Sequence, residues 1–120
     1  RLAYHRDGAG STVVVTHDLS RNGEPQVVLR VNGKADATSH GDLSTQVLAA
    51  HIPMLLRPES PDVLVVGLGS GVTVGSALQH PTTQRVDAVE ISPEVVEAAG
   101  THFAEANLHA LKDPRTHMFI

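Results

Sequence analysis

Residues 61–75 read PDVLVVGLGSGVTVG, a continuous apolar run closed by glycine at 67, 69 and 71. An unbroken apolar run suits a strand covered on both faces, as in a parallel sheet. Glycine at every second position suits a backbone that turns sharply while another group lies against it, because a Cβ would collide there. A helix beginning directly after the turn leaves its first N–H groups without partners beside it. Strand, glycine loop and helix therefore constrain this chain more than any other feature, and they call for an α/β unit with a ligand-facing edge.

The rest of the chain is organised around that unit. From Asp62 onward the pattern is strand, helix, strand, helix, strand. The first helix, 71–79, stops at His80-Pro81; residues 85–91 (RVDAVEI) form the second strand and 116–120 the third. Ser92-Pro93-Glu94 opens the second helix with a capping hydroxyl, a proline at the first helical position and a carboxylate near the positive end of the dipole. That helix is expected to run to about Ala106. Upstream, residues 11–17 (STVVVTH) and 26–31 (QVVLRV) read as strands joined through Asn22-Gly23, and Asn32-Gly33 turns the chain again. The expectation is a small antiparallel meander over 1–40. A helix over 42–56, capped by Asp42 and kinked or broken by Pro53, and a linker together span 41–61. The first half of a parallel sheet then occupies 62–120.

The glycine spacing narrows the ligand. A dinucleotide fingerprint, G-x-G-x-x-G, would place its third glycine at position 72, which is Val72. Gly67-x-Gly69-x-Gly71 fits better the loop that holds an adenosyl group carrying a sulfonium, where no pyrophosphate has to be cradled. The second strand ends at Glu90, and a carboxylate there can accept both ribose hydroxyls while repelling a 2′-phosphate. The bland alternative is a tight structural turn beside an exposed acid.

Composition excludes several other classes. The net charge of -4 carries no sign of general phosphate-backbone binding, so no nucleic-acid partner is expected. No apolar run reaches the roughly 18 residues needed to cross a bilayer, and a soluble, cytoplasmic segment without direct membrane contact is the plain reading. Cysteine is absent. The eight histidines are scattered with no H-x-x-x-H pair, so they are expected to be surface or packing residues and no metal site is expected. Gly-Leu-Gly-Ser-Gly-Val is not the G-x-S-x-G elbow of a hydrolase, since Ser70 directly follows Gly69.

The span from Val31 to Val96 resembles the spermidine synthase family, the polyamine aminopropyltransferases. Val31-Asn32-Gly33 stands where that family has Leu-Asp-Gly. His51-Ile52-Pro53-Met54 and Arg57-Pro58 stand at its x-Leu-Pro-Leu and His-Pro elements. Residues 63–71 (VLVVGLGSG) match its V-L-I-I-G-G-G-D-G-G loop, and Leu78-Gln79-His80-Pro81, Glu90-Ile91 and Asp113-Pro114-Arg115 match its Lys-His-Pro, Glu-Ile-Asp and Asp-Pro-Arg elements. Asn32-Gly33-Lys34-Ala35-Asp36 together with Gly41-Asp42 and Thr45-Gln46 is similar to the bacterial spermidine-synthase-like branch, some members of which are fused to transmembrane segments.

The resemblance implies a small β-domain followed by a Rossmann-like domain of the S-adenosylmethionine-transferase type. The co-substrate it implies is decarboxylated S-adenosylmethionine, whose aminopropyl group passes to an amine such as putrescine. It carries nucleoside contacts onto Gly67, Gly69, Ser70, Gly71, Glu90 and Ile91, and amine contacts onto Asp36, Asp42 and Gln46. The chain departs from the family at Ser70, where the loop has an acid that helps hold the aminopropyl amine. It departs also at Asp36, Thr45-Gln46 and Val47, where the family has Gln, Tyr-His and Glu. The family's Asp-Gly pair and its catalytic aspartate would fall beyond Ile120, so no catalytic residue is expected within these 120 residues. A chain starting at Arg1 and stopping in a strand is expected to be a piece of a longer protein. Its uncovered half-sheet is expected to make it a homo-oligomer. A methyltransferase using S-adenosylmethionine itself shares the loop and the acid, and a non-catalytic nucleoside-binding module is a third reading.

Overall fold

The computed structural model describes all 120 residues. Seven strands and three helices form two sheets that meet across one helix. The first sheet is an antiparallel meander of β1 (Leu2–Asp7), β2 (Thr12–Leu19), β3 (Pro25–Val31) and β4 (Lys34–Thr38), in that order. Gly23 and the pair Asn32-Gly33 adopt positive φ, as the Asn-Gly turns require. β1 is an addition to the sequence reading: its Leu2–Asp7 segment is almost wholly exposed and carries no alternation that marks it as a strand. It pairs with β2 from Leu2↔Thr16 to Asp7↔Thr12.

Helix α1 (Leu43–Leu56) crosses to the second sheet. It passes through Pro53 without ending there, which corrects the expected break. Pro53 lies on an exposed face and forfeits the single hydrogen bond its nitrogen would have given to the preceding turn. Asp42 precedes the helix but its side chain makes no capping bond, a second correction with consequences for the site.

The second sheet is parallel, β5 (Asp62–Val66), β6 (Arg85–Val89) and β7 (Thr116–Phe119), with α2 (Val72–Leu78) and α3 (Pro93–His102) as its crossovers. The register sets Val63 beside Val86, and Val65 beside Ala88, which in turn meets Met118. These residues face α2 and α1, where Ala50, Val74, Ala77 and Leu78 complete one core. α3 begins as its Ser-Pro-Glu opening dictates: Ser92 Oγ accepts the Val95 N–H at 3.3 Å, with Pro93 at the first helical position. It ends at His102 rather than near Ala106, because the chain turns through Phe103 toward positive φ at Leu108 and His109.

α3 serves both cores. Ala99 packs into the core of the parallel sheet, while Val95, Ala98 and Phe103 pack against Val13, Val15, Leu29 and Ala37 of the meander. Tyr4 of β1 adds a polar tie, its hydroxyl donating to Glu97 Oε2 at 2.8 Å. The meander is thereby held beside the carboxyl ends of β5 and β6, where the glycine loop lies.

Candidate functional site

The loop between β5 and α2 is built of residues whose backbone goes where only glycine goes freely. Gly67, Gly69 and Gly71 have φ of +86°, +56° and +82°. Three neighbours fix it. From the residue just after β6, Glu90 Oε2 accepts the Leu68 N–H at 3.0 Å. From α1, Gln46 Oε1 accepts the Ser70 hydroxyl, and the Gln46 carbonyl accepts the Thr73 hydroxyl at 2.9 Å. From the turn after α3, Asn107 Nδ2 donates to the Ser70 carbonyl at 2.9 Å.

Glu90 joins the turn after β5 to the turn after β6. Its second oxygen, Oε1, accepts the Ser92 N–H at 3.0 Å, so one carboxylate holds the turn after β5 and the turn after β6 together. Each oxygen takes a single backbone donor and keeps a further lone pair, which is the capacity a ribose diol needs. On either side of Glu90 the surface is open. A Cβ at Gly67 would meet nothing within 4 Å, and Ile91 is 93 % exposed. The result is a shelf: bare backbone, a two-pronged acceptor, then an apolar side chain on which a flat base can rest. The β1–β2 turn overhangs the Ile91 end, leaving a 150 Å³ recess between Gly10 and Ile91.

The residues expected from the sequence divide into four groups. Gly67, Gly69, Glu90 and Ile91 are brought together on the shelf. Ser70 and Gly71 lie beneath it: Ser70 is 1 % exposed, its hydroxyl shared between Gln46 Oε1 and the Val72 N–H. Gln46 and Asp42 come to the same place from α1, but bound to one another. Gln46 Nε2 donates to Asp42 Oδ1 at 2.9 Å and to the Thr38 carbonyl at 2.9 Å. Asp42 Oδ1 also takes the Thr38 N–H at 2.8 Å and the Thr38 hydroxyl at 2.6 Å. Asp36 stays outside. Its neighbour in β4, Ala37, lies 3.9 Å from the Cβ position of Gly69, and alternation along the strand turns Asp36 the other way, to solvent.

Asn107 and Thr38 are members of this site that the sequence reading did not single out. Asn107 is 1 % exposed and satisfies Ser70, Ala99 and Ala110 at once. It has no local signature, since all of its amide partners but one lie eight or more residues away. No three His, Asp or Glu side chains converge as a metal-binding group. Two histidines do meet, His51 Nδ1 and His80 Nε2, 2.8 Å apart where α1 and the end of α2 pack together. No helix is long and apolar enough to cross a membrane.

Known proteins share this fold. Residues 43–120 match the spermine/spermidine synthase domain family. The chain belongs to that family. Among curated relatives, the polyamine aminopropyltransferase of Clostridium tetani is 38% identical over 108 residues, which is 90% of this chain and 36% of the relative. That of Thermotoga petrophila is 28% identical over 112 residues, 93% of this chain and 38% of the relative. The solved spermidine synthase of Thermotoga maritima superposes with a TM-score of 0.88 at 25% identity, covering all of this chain and 40% of that one. A spermidine synthase solved in complex with the transition-state analogue AdoDATO superposes equally well. The chain thus spans well under half the length of these relatives and carries the fold of the corresponding part of spermidine synthase.

Proposed function

We propose that this chain forms the adenosyl-binding half of an aminopropyltransferase site. The co-substrate is decarboxylated S-adenosylmethionine, and the acceptor is a small amine such as putrescine. The observation that supports the reading most directly is Glu90, whose carboxylate bridges the two turns with lone pairs to spare, between open backbone at Gly67 and the exposed Ile91. Membership of the family supports the transfer reaction.

In that reaction the amine nitrogen bonds to the carbon beside the sulfonium, the carbon–sulfur bond breaks, and its electron pair stays on sulfur as methylthioadenosine. The attacking amine gives up one proton to a base. These residues contribute the holding of the nucleoside, so that sulfur and its leaving carbon are fixed while the amine arrives, and positioning of this kind lowers the barrier substantially.

Calorimetric titration of the full chain with methylthioadenosine and with decarboxylated S-adenosylmethionine tests the proposal. Both are expected to bind, and Glu90→Ala is expected to weaken both by about 1–3 kcal/mol. Unchanged affinity in that variant would make the loop a structural turn. Tighter binding of S-adenosylmethionine than of its decarboxylated form would move the reading to methyl transfer.

A further inference from the structure

Asn107 is bonded on every side beneath the glycine loop. Its Nδ2 donates to the Ser70 carbonyl at 2.9 Å and to the Ala99 carbonyl at 3.0 Å, while Oδ1 accepts the Ala110 N–H at 3.2 Å. α2 makes room for it: a Cβ at Gly75 would overlap the Asn107 carbonyl oxygen, and one at Gly71 would stand 3.0 Å from Nδ2. The turn that brings Asn107 there is strained. Leu108 and His109 follow it at φ of +58° and +57°. That region crowds a Cβ against the backbone and favours glycine or asparagine. Leu108 is 59 % exposed, and the His109 side chain has only an exposed partner, Glu105 Oε1 at 3.3 Å. Neither side chain is held by its own burial. Two successive residues stay in such a conformation only when their surroundings over-determine it, and the buried tie beside them is Asn107.

The tie reaches the loop through one peptide unit. The Ser70 carbonyl is taken by Asn107, and the N–H of the same peptide, on Gly71, donates to the Leu68 carbonyl at 2.9 Å. Both ends of that peptide are thus fixed. Three positive-φ glycines have many other conformations open to them, so a loop without this tie would have to be ordered by its ligand, at a loss of affinity. We infer that Asn107 is a positioning residue: through the Ser70 carbonyl it presets the curve of the glycine loop before a ligand arrives, and the strained turn at Leu108 and His109 serves to deliver it. The inference rests on the reading of the loop as an adenosyl site. Asn107 is 1 % exposed and meets no ligand itself; it acts by removing the ordering step from binding.

Calorimetric titration of the full chain with methylthioadenosine tests this, at a temperature where circular dichroism shows each titrated variant folded. Asn107→Ala is expected to bind about tenfold more weakly, with the loss appearing in the entropy of binding. In that variant without ligand, amide hydrogen exchange over residues 67–72 should be faster than in the unaltered chain, and saturating methylthioadenosine should remove most of the difference. Leu108→Val probes the same tie from an exposed position. A β-branched residue resists positive φ, so the turn should shift and the affinity should fall severalfold. Leu108→Gly accepts that φ freely and should bind as the unaltered chain does. An exposed substitution that mattered only to stability would leave both affinities alone, which keeps the test decisive if Asn107→Ala folds poorly. Unchanged affinity in folded Asn107→Ala, or in Leu108→Val where only that variant folds, overturns the positioning role and leaves the adenosyl reading standing. If methylthioadenosine does not bind the unaltered chain, the adenosyl reading fails and the inference goes with it.

Discussion

The two sheets of this protein solve the problem of an apolar face differently. The meander buries Val13, Val15 and Leu29 against α3 and turns a polar face outward, where Arg30 bonds to Thr16 Oγ1 at 2.6 Å and to Asp18 Oδ2 at 3.2 Å. An antiparallel sheet is stable in that state, with one side wet. The parallel sheet also buries one face, Val63, Val65, Val86, Ala88 and Met118, but its other face is polar only in part, with Asp62, Arg85, Asp87 and His117 beside a cluster of apolar side chains. Leu64 and Val66 are 65 % and 78 % exposed, and Phe119 lies on the same side. β5 is an edge strand, with a groove of 390 Å³ between it and α1. The outer face of the meander is thus polar where Arg30 pairs, while that of the parallel sheet exposes an apolar patch toward the carboxyl ends of its strands.

The largest expected effect severs the two regions from one another. Phe103→Ala opens a cavity where α3 packs on the meander and should cost about 3–5 kcal/mol in urea unfolding. Hydrogen exchange should rise in residues 12–31 ahead of 62–66, and uniform loss across both sheets would deny that the regions are separable. Gly75→Ala acts inside the parallel half. Its Cβ would overlap the Asn107 carbonyl oxygen, so the change should cost about 3 kcal/mol instead of returning the roughly 1 kcal/mol an alanine gains in a free helix.

Smaller effects sharpen the contrast between the outer faces. Val66→Lys should leave unfolding stability within about 0.5 kcal/mol. It should also shift the chain toward monomer in sedimentation velocity, because the exposed apolar patch of the parallel sheet is expected to self-associate. The same charge added on the meander's outer face should change neither, and equal behaviour at both sites would erase the distinction.

The smallest effects are in pH. Burial, and then the Glu97 carboxylate that accepts its hydrogen bond, push Tyr4 up to about 12 from 10.0. A group raised on folding contributes below its unfolded value, so the tie from β1 to α3 should be intact below pH 10 and lost as pH climbs to about 12. Asp113, held low by the guanidinium and backbone N–H of Arg115, behaves oppositely in the parallel half: its contribution is present above 3.8 and lost as pH falls below it. Alkaline and acid melts should therefore loosen different regions, which tryptic digestion at each pH would reveal.

Asp42 shows where reading by sequence reached its end. Its position before an apolar periodic run is the local signature of a cap, and the helix does start one residue later. Yet its carboxylate turns back to Thr38 and across to Gln46, because the N–H and hydroxyl of Thr38 at the end of β4 and the Gln46 amide already supply it with three donors. Ser92, with the same kind of signature, does cap, since its partner is only three residues on. The difference is not in the residues' propensities but in what the tertiary fold sets beside them.

The glycine loop, the strand-end acid, the parallel half-sheet and the family resemblance all lay in short-range order: hydrophobic period, turn residues and motif spacing act over a few residues and survive in the bare sequence. What the loop touches did not. Gln46 reaches Ser70 across 24 residues and Asn107 reaches it across 37. Contacts of that span depend on how the meander, α1 and the turn after α3 pack, and packing is decided by the burial of whole faces at once, which no short stretch of sequence encodes. The sequence by itself determined that this chain has a strand, a glycine loop and a helix in succession, with an acid at the end of the next strand. Only the tertiary structure decided that the loop's neighbours form one hydrogen-bonded chain from Thr38 through Asp42 and Gln46 to Ser70.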